Sequence, residues 1–216
     1  MANLFKWITR KLQTLVNRVM RKFLNQKDKQ RLKTAGVTLI SSNCNGCWML
    51  HDLGLRYNSP FVNLYIPAAD YIKLLQDLPR YMEKELTFVD EGTDYPVALL
   101  DDVHLYCVHY ANEQDVRTQW ERRKKRMDFN NVFVLFTDRD GCTKEHLNAF
   151  DALPFANKVV FTHQEYEDIS SAVYVPGFEK QGYVGELHRF SGWSGRRHYD
   201  RLDYTAWFNG EGIHKR

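Results

Sequence analysis

Apolar residues recur along this chain with two periods, and the changes from one to the other mark its elements. Over residues 3–25, Phe5, Ile8, Leu12, Leu15, Val16, Val19 and Phe23 recur mostly at steps of three and four, which puts them on one face of a helix. Lys6, Arg10, Lys11, Arg18, Arg21 and Lys22 take its other face, and residues 26–35 read as a polar linker. From residue 37 the pattern shortens. Val37 to Ile40 is a compact apolar run suited to a buried strand, and Ser41 to Cys47 is a tight polar loop. Trp48 to Leu53 then makes a short helix closed near Gly54.

The same reading predicts further strands over 61–66, 86–89, 97–100, 103–110, 132–136, 158–161 and 171–175. It predicts a helix after Pro67 and one running from Asn112, an N-cap with Asp115 at the capping-box position, to about Met127. Two more helices are expected over 143–153 and 199–208, separated by a glycine-rich loop at 182–195. Strands alternating with helices imply an α/β fold, a three-layer α/β/α arrangement with a largely parallel or mixed sheet, plus the N-terminal amphipathic helix. The division expected is a basic helix and linker over 1–35 and a single α/β domain over 36–216.

Charge sharpens that division. The 216 residues carry a net charge of +3. Residues 1–35 hold ten Lys/Arg against one acid, a balance of +9, while residues 36–216 hold twenty against twenty-six, a balance of −6. A cationic amphipathic helix suits an anionic membrane surface, with Trp7 near the headgroups. The competing use is packing on the domain or on a second copy. An acidic domain would repel phosphate backbones, so nucleic acid is not expected as a partner. Four scattered cysteines suit a reducing, cytoplasmic compartment rather than a disulfide scaffold. There is no apolar run of about 18 residues and no secretory signal pattern, so a cytoplasmic protein, peripheral on the inner face of the cell membrane, is the expectation.

Three constellations carry candidate chemistry. Cys44 and Cys47 have redox or zinc spacing, but no second ligand pair accompanies them, and Asn45-Gly46 reads as turn chemistry rather than a helix start. Cys44 alone, after a strand, is the candidate nucleophile or thioester contact, flanked by Asn43 and Asn45 as oxyanion donors. His104 or His109, oriented by Asp101 or Asp102, would supply a base, since imidazole titrates near neutrality and a carboxylate fixes its tautomer. Asp138 and Asp140, in Thr137-Asp-Arg-Asp-Gly141, form an Asp-x-Asp pair able to hold a divalent metal against a sugar-nucleotide diphosphate. Arg122, Arg123 and Arg126 would hold phosphate through guanidinium forks, or line a solvated helix face.

Several separated phrases share a resemblance. Ser41-Ser-Asn-Cys-Asn-Gly46, Asp52-Leu-Gly-Leu-Arg-Tyr-Asn-Ser-Pro-Phe-Val62, His109-Tyr110, Trp120-Glu-Arg-Arg-Lys-Lys-Arg126 and Thr137-Asp-Arg-Asp-Gly-Cys142 resemble a bacterial exopolysaccharide or capsular polysaccharide biosynthesis family of unknown function. The likeness spans about residues 36–208 and leaves out the basic helix. Cys44 matches the family's cysteine, whereas Cys47 stands where the pattern has glycine. The layout is similar to a capsule acetyltransferase-like protein that binds coenzyme A. The family resemblance implies a surface-polysaccharide context and supplies no established reaction; the similar layout adds the expectation of an acyl- or acetyltransferase modifying a polysaccharide or its lipid-linked precursor, with acyl-coenzyme A as donor. The alternatives are a metal-dependent sugar-nucleotide glycosyltransferase and a non-catalytic scaffold of the polysaccharide machinery.

Overall fold

The computed structural model describes residues 2–216, with side chains from residue 5 onward, so residues 3 and 4 of the expected amphipathic face lie outside the described side chains. In chain order the elements are α1 (Ala2–Arg31), β1 (Thr38–Ser41), α2 (Asn45–Leu53), α3 (Ala68–Gln76), α4 (Leu78–Glu83), β2 (Leu86–Val89), β3 (Val97–Leu100) and β4 (Val103–Tyr106). They continue with α5 (Glu113–Lys124), β5 (Val132–Thr137), α6 (Lys144–Asp151), β6 (Lys158–Thr162), β7 (Ala172–Tyr174) and α7 (Tyr204–Phe208). Strands β1, β5, β6 and β7 lie side by side in that order, all parallel. Strands β2, β3 and β4 form a separate antiparallel sheet.

The parallel strands are continuous apolar runs because both faces of their sheet are covered. Successive side chains point to opposite faces. Ile40, Val134, Phe136, Val160 and Ala172 enter a core shared with α3 to α6 and the antiparallel sheet. Leu39, Phe133, Leu135, Val159, Phe161 and Val173 enter a second core shared with α2 and α7. Phe133 meets Trp207 and Phe208 edge-on, each with ring centroids 5.2 Å apart. Truncating Phe133 to alanine would cost about 3–5 kcal/mol by the usual cavity term. The fold is mixed α/β, with helices on both sides of the parallel sheet.

β4 ends at Tyr106 rather than Tyr110, and α4 is a helix beyond those expected; four other elements depart from the sequence-based expectation, each for a local physical reason. Residues 61–66 form no strand; Asn63 sits at φ 64, and only Tyr65 pairs, in an isolated bridge with Tyr106 of β4. Helix α2 starts at Asn45, not at Trp48, so Asn45-Gly46 is a helix start after all. Gly46 permits this because a Cβ there would lie 2.9 Å from Ser41 Cβ and 3.0 Å from Leu39 Cδ2, and only glycine lets the helix approach β1 so closely. The last predicted helix divides into a 3₁₀ turn at His198–Arg201 and α7, whose N-cap Asp203 accepts the Ala206 N–H.

The fourth departure is α1. It runs on to Arg31 and absorbs most of the expected linker. From Gln13 onward, whose Nε2 donates to the Gly192 carbonyl at 3.1 Å, it bonds the rest of the chain. Asn17 Nδ2 donates to the Gly192 carbonyl at 2.7 Å and its Oδ1 accepts the Gly195 N–H at 2.9 Å. Arg21, 4% exposed, sits between Asp52 of α2 and Asp200 of the 3₁₀ turn.

Candidate functional site

The carboxyl ends of β1, β5 and β6 lie side by side, at the edge where open parallel sheets hold their ligands. Parallel register aligns Ser41 with Leu135 and Thr137 with Phe161. The residues that follow each strand therefore converge: Ser42 to Asn45, Asp138 to Asp140, and His163. Asn43 ties the first two groups together. Its Nδ2 donates to Thr137 Oγ1 at 2.7 Å and to Asp140 Oδ2 at 3.1 Å, while its Oδ1 accepts the Asn45 N–H at 3.2 Å. Asn43 is thus fully engaged in shaping the loop, which takes it out of the oxyanion-donor role expected for it. Asn45 differs. Its Oδ1 accepts the Leu187 N–H at 3.1 Å, and no described residue engages its Nδ2.

Asp138 is 6% exposed and holds a histidine that sequence reasoning did not single out. Its Oδ2 lies 2.6 Å from His163 Nδ1 and accepts the His163 N–H at 2.6 Å; its Oδ1 accepts the Val184 N–H at 2.7 Å. A carboxylate oxygen facing Nδ1 favours a proton on that nitrogen, and in the neutral ring this arrangement leaves the lone pair on Nε2. Among the described residues nothing bonds that Nε2. A readable signal existed: His163 follows the apolar run of β6 just as Asp138 follows that of β5, and adjacent parallel strands present such residues side by side.

Cys44 stands at the same sheet end, as the N-cap of α2, but as a protonated thiol. Burial, reinforced by Cys47 and Glu186, pushes it up to about 12, with Arg139 opposing. Its Sγ faces the Leu64 carbonyl at 3.7 Å, and no histidine bonds it. The nucleophile role expected for Cys44 therefore lacks an activating base. Cys142, beside Asp138 and Asp140, is likewise pushed up to about 12 by burial and then by those two carboxylates. Cys47 is buried and its thiol is raised mainly by burial.

The expected base cluster sits elsewhere. His104 on β4 has its Nδ1 2.9 Å from Asp70 of α3 rather than from Asp102. Asp102 accepts from Tyr81 Oη at 2.7 Å and from Lys73 Nζ at 3.2 Å, and Asp101 pairs with Arg80 at 2.6 Å. His109 is exposed, and no described residue bonds its ring. Two tyrosine rings link the surroundings of His104 to those of Cys44. Tyr65, next to the Leu64 that Cys44 faces, stacks on Tyr106 at 4.6 Å, and Tyr106 in turn neighbours the His104 ring at 6.3 Å.

The Asp-x-Asp pair is also engaged. Both oxygens of Asp138 are taken, while Asp140 accepts from Asn43 and pairs with Arg139 at 3.4 Å. Arg139 also reaches Glu186 at 3.6 Å. Among the described residues no three His, Cys, Asp or Glu side chains are placed to share a metal ion. Each of the four carboxylate oxygens of the pair already has a hydrogen-bond or ion-pair partner.

The arginines of α5 are arranged differently from a solvated face. Arg123 is 7% exposed, its Nη1 donates to Tyr110 Oη at 2.6 Å, and its Nε is buried without a partner. Arg126 donates to the Tyr57 carbonyl at 2.6 Å and its Nε is also buried and unpartnered. Burial, then Arg56, Arg122 and Arg123, lower the Arg126 pKa, and none of its neighbours in that balance is an acid. Arg122 is exposed and bonds only Gln119. Arg123 also lies close enough to Cys47 to oppose the rise in its thiol pKa, so this acid-free cluster borders the start of α2.

Comparison with known proteins places this arrangement in a family. An uncharacterized protein of Haemophilus influenzae (strain ATCC 51907 / DSM 11121 / KW20 / Rd) is 45% identical over 199 residues, which cover 92% of this chain and 97% of that one. A family profile described as Domain of unknown function (DUF1919) matches residues 15–209. That span takes in the second half of α1, which the sequence-level resemblance had left out, and it begins close to Asn17, where the helix docks. The chain belongs to the DUF1919 family of proteins of unknown function.

Proposed function

We propose that this protein is an acyltransferase of surface-polysaccharide biosynthesis, working in the cytoplasm at the inner face of the cell membrane on a polysaccharide or its lipid-linked precursor. The observation that carries the catalytic part is His163. Its Nδ1 is fixed by buried Asp138 at 2.6 Å and its Nε2 is unengaged at the carboxyl end of the parallel sheet. Such a histidine can take the proton of a sugar hydroxyl as that oxygen attacks an acyl carbon, and return it to the leaving group. Asp138 holds the tautomer and stabilises the imidazolium that forms. The free Nδ2 of Asn45 supplies a hydrogen-bond donor for the developing oxyanion. Cys44 packs beside the reacting atoms as a neutral thiol.

The donor of this reading is acyl-coenzyme A, which supplies when bound an activated acyl group on a thiol leaving group. The orphaned Nε atoms of Arg123 and Arg126 fit its phosphates, because a buried and a half-buried guanidinium without a carboxylate want an anion. Arg56 and Arg122 add exposed positive charge to the same cluster. The polysaccharide context rests on the family resemblance of the sequence phrases around Cys44, Asp138 and α5.

The test is transfer of labelled acetyl from acetyl-coenzyme A to a lipid-linked glycan fraction. Transfer by the purified chain supports the reading. Failure to transfer any short acyl group, or to bind acyl-coenzyme A at all, overturns it.

A further inference from the structure

Helix α1 is amphipathic in the opposite sense to a helix packed on a domain. At 100° per residue, Asn17, Arg21 and Asp28 share one side of it. These are its buried residues, 1%, 4% and 5% exposed, and they are polar or charged. Asn17 bonds Gly192 and Gly195, Arg21 bonds Asp52 and Asp200, and Asn25 donates to Asp52 Oδ1 at 3.0 Å. A Cβ on Gly195 would lie 2.5 Å from Met20 Cβ and 2.8 Å from the Arg21 nitrogen, so loop and helix are in close contact. On nearly the opposite side, Phe5, Ile8, Leu12, Leu15, Val19 and Phe23 form the apolar stripe, and all of them are exposed. The domain has taken the polar side and left the apolar one outward.

We propose that this outward stripe lies in the interfacial layer of an anionic lipid bilayer and seats the protein on it. Lys11, Arg18 and Lys22 flank the stripe, and none of these, nor Lys6 or Arg10, is in an ion pair with any described residue. A lipid headgroup layer supplies both the apolar depth and the negative charge that this geometry lacks. A second copy would instead bring the same cations against one another. Among the described residues no helix is long and apolar enough to cross a membrane, which leaves α1 to lie along the surface. Lys11 Nζ sits 5.4 Å from the Trp7 ring centroid, a pairing suited to the headgroup level. Buried Arg21 fixes the rotation of the helix, so the membrane orients the whole domain. Only the choice of the inner leaflet rests on the enzymatic reading above, and vesicle binding is measured without activity, so either idea can fail alone.

The experiment is co-sedimentation of the full chain with vesicles of phosphatidylglycerol and phosphatidylcholine, and with phosphatidylcholine alone. Binding should require the anionic lipid, weaken with salt and shift Trp7 emission to the blue. Leu12→Glu with Leu15→Glu should abolish it with circular dichroism unchanged, because both side chains are solvent-facing. Lys11→Gln should weaken partition about fivefold, the usual effect of one cation near such a surface. Absence of binding, binding that survives the double substitution, or a salt-stable dimer that the double substitution dissociates would overturn the proposal, the last assigning the stripe to a second copy.

Discussion

Arg21 of α1 meets Asp52 of α2 at 2.7 Å, with both side chains almost wholly out of solvent. Its other arm reaches Asp200 at 2.5 Å, and Tyr204 Oη lies 3.0 Å away. One guanidinium thus joins the first helix to α2 and to the turn preceding α7. Arg21→Ala would leave buried Asp200 without a cation and Asp52 with Arg197 alone, at 3.3 Å. We expect a loss of about 3–5 kcal/mol in urea unfolding, the usual cost of breaking a buried pair. A loss below 1 kcal/mol would mean that α1 is an appendage after all.

Gly46 sets how closely α2 approaches β1. Placing a methyl group 2.9 Å from Ser41 Cβ and Oγ forces the helix outward or Ser41 out of its rotamer. Gly46→Ala should cost about 1–3 kcal/mol by overpacking, despite alanine's higher helix propensity. Stability equal to or above that of the parent would show that the approach is not tight.

Cys44 should behave as an unreactive thiol. With its pKa pushed up to about 12, little thiolate exists near neutrality. Iodoacetamide at pH 7.5 should label it far more slowly than a free cysteine, with the rate climbing through pH 9 and above. Rapid labelling at pH 7.5, followed by mass spectrometry of the Cys44 peptide, would restore it as a nucleophile candidate.

Asp203 provides a pH signature. Burial alone would raise its carboxyl, but hydrogen bonds from Arg31 and Arg216, together with the Ala206 N–H, hold it down at about 2. A depressed native pKa contributes stability above the unfolded value near 4, and that contribution disappears as pH falls toward 2. Asp203→Asn should therefore be less stable than the parent by about 2 kcal/mol at pH 6, from the size of the depression. The gap should close by pH 2. A gap independent of pH would contradict the ion-pair account.

Much of the layered fold was legible because its signals are local. Val132 to Phe136 could only be a buried strand, and the Asn112 and Thr143 caps fall where helix starts were expected. What failed depends on distant partners. Residues 61–66 carry strand composition but form no β-bridge beyond Tyr65–Tyr106. Asn45-Gly46 reads as a turn until β1 is known to lie against it. That Asn43, Asp138 and Asp140 follow strands was legible from the chain, because the apolar runs before them end where β1 and β5 end. His163 was missed because its partner, Asp138, is 25 residues away in sequence, and only the parallel register brings them together. The outward stripe of α1 was visible as a stripe, but which side the domain would take depends on Asp52 and Asp200.

The most direct measurement compares His163→Ala and Cys44→Ala in one acetyl-transfer assay with acetyl-coenzyme A and a lipid-linked glycan acceptor. With His163 as the base, its removal should lower transfer about 10²- to 10⁴-fold, the usual worth of general-base catalysis. Cys44→Ala should keep most of the activity. Full transfer by His163→Ala, or loss confined to Cys44→Ala, would contradict the assignment of the Asp138–His163 pair as the catalytic base.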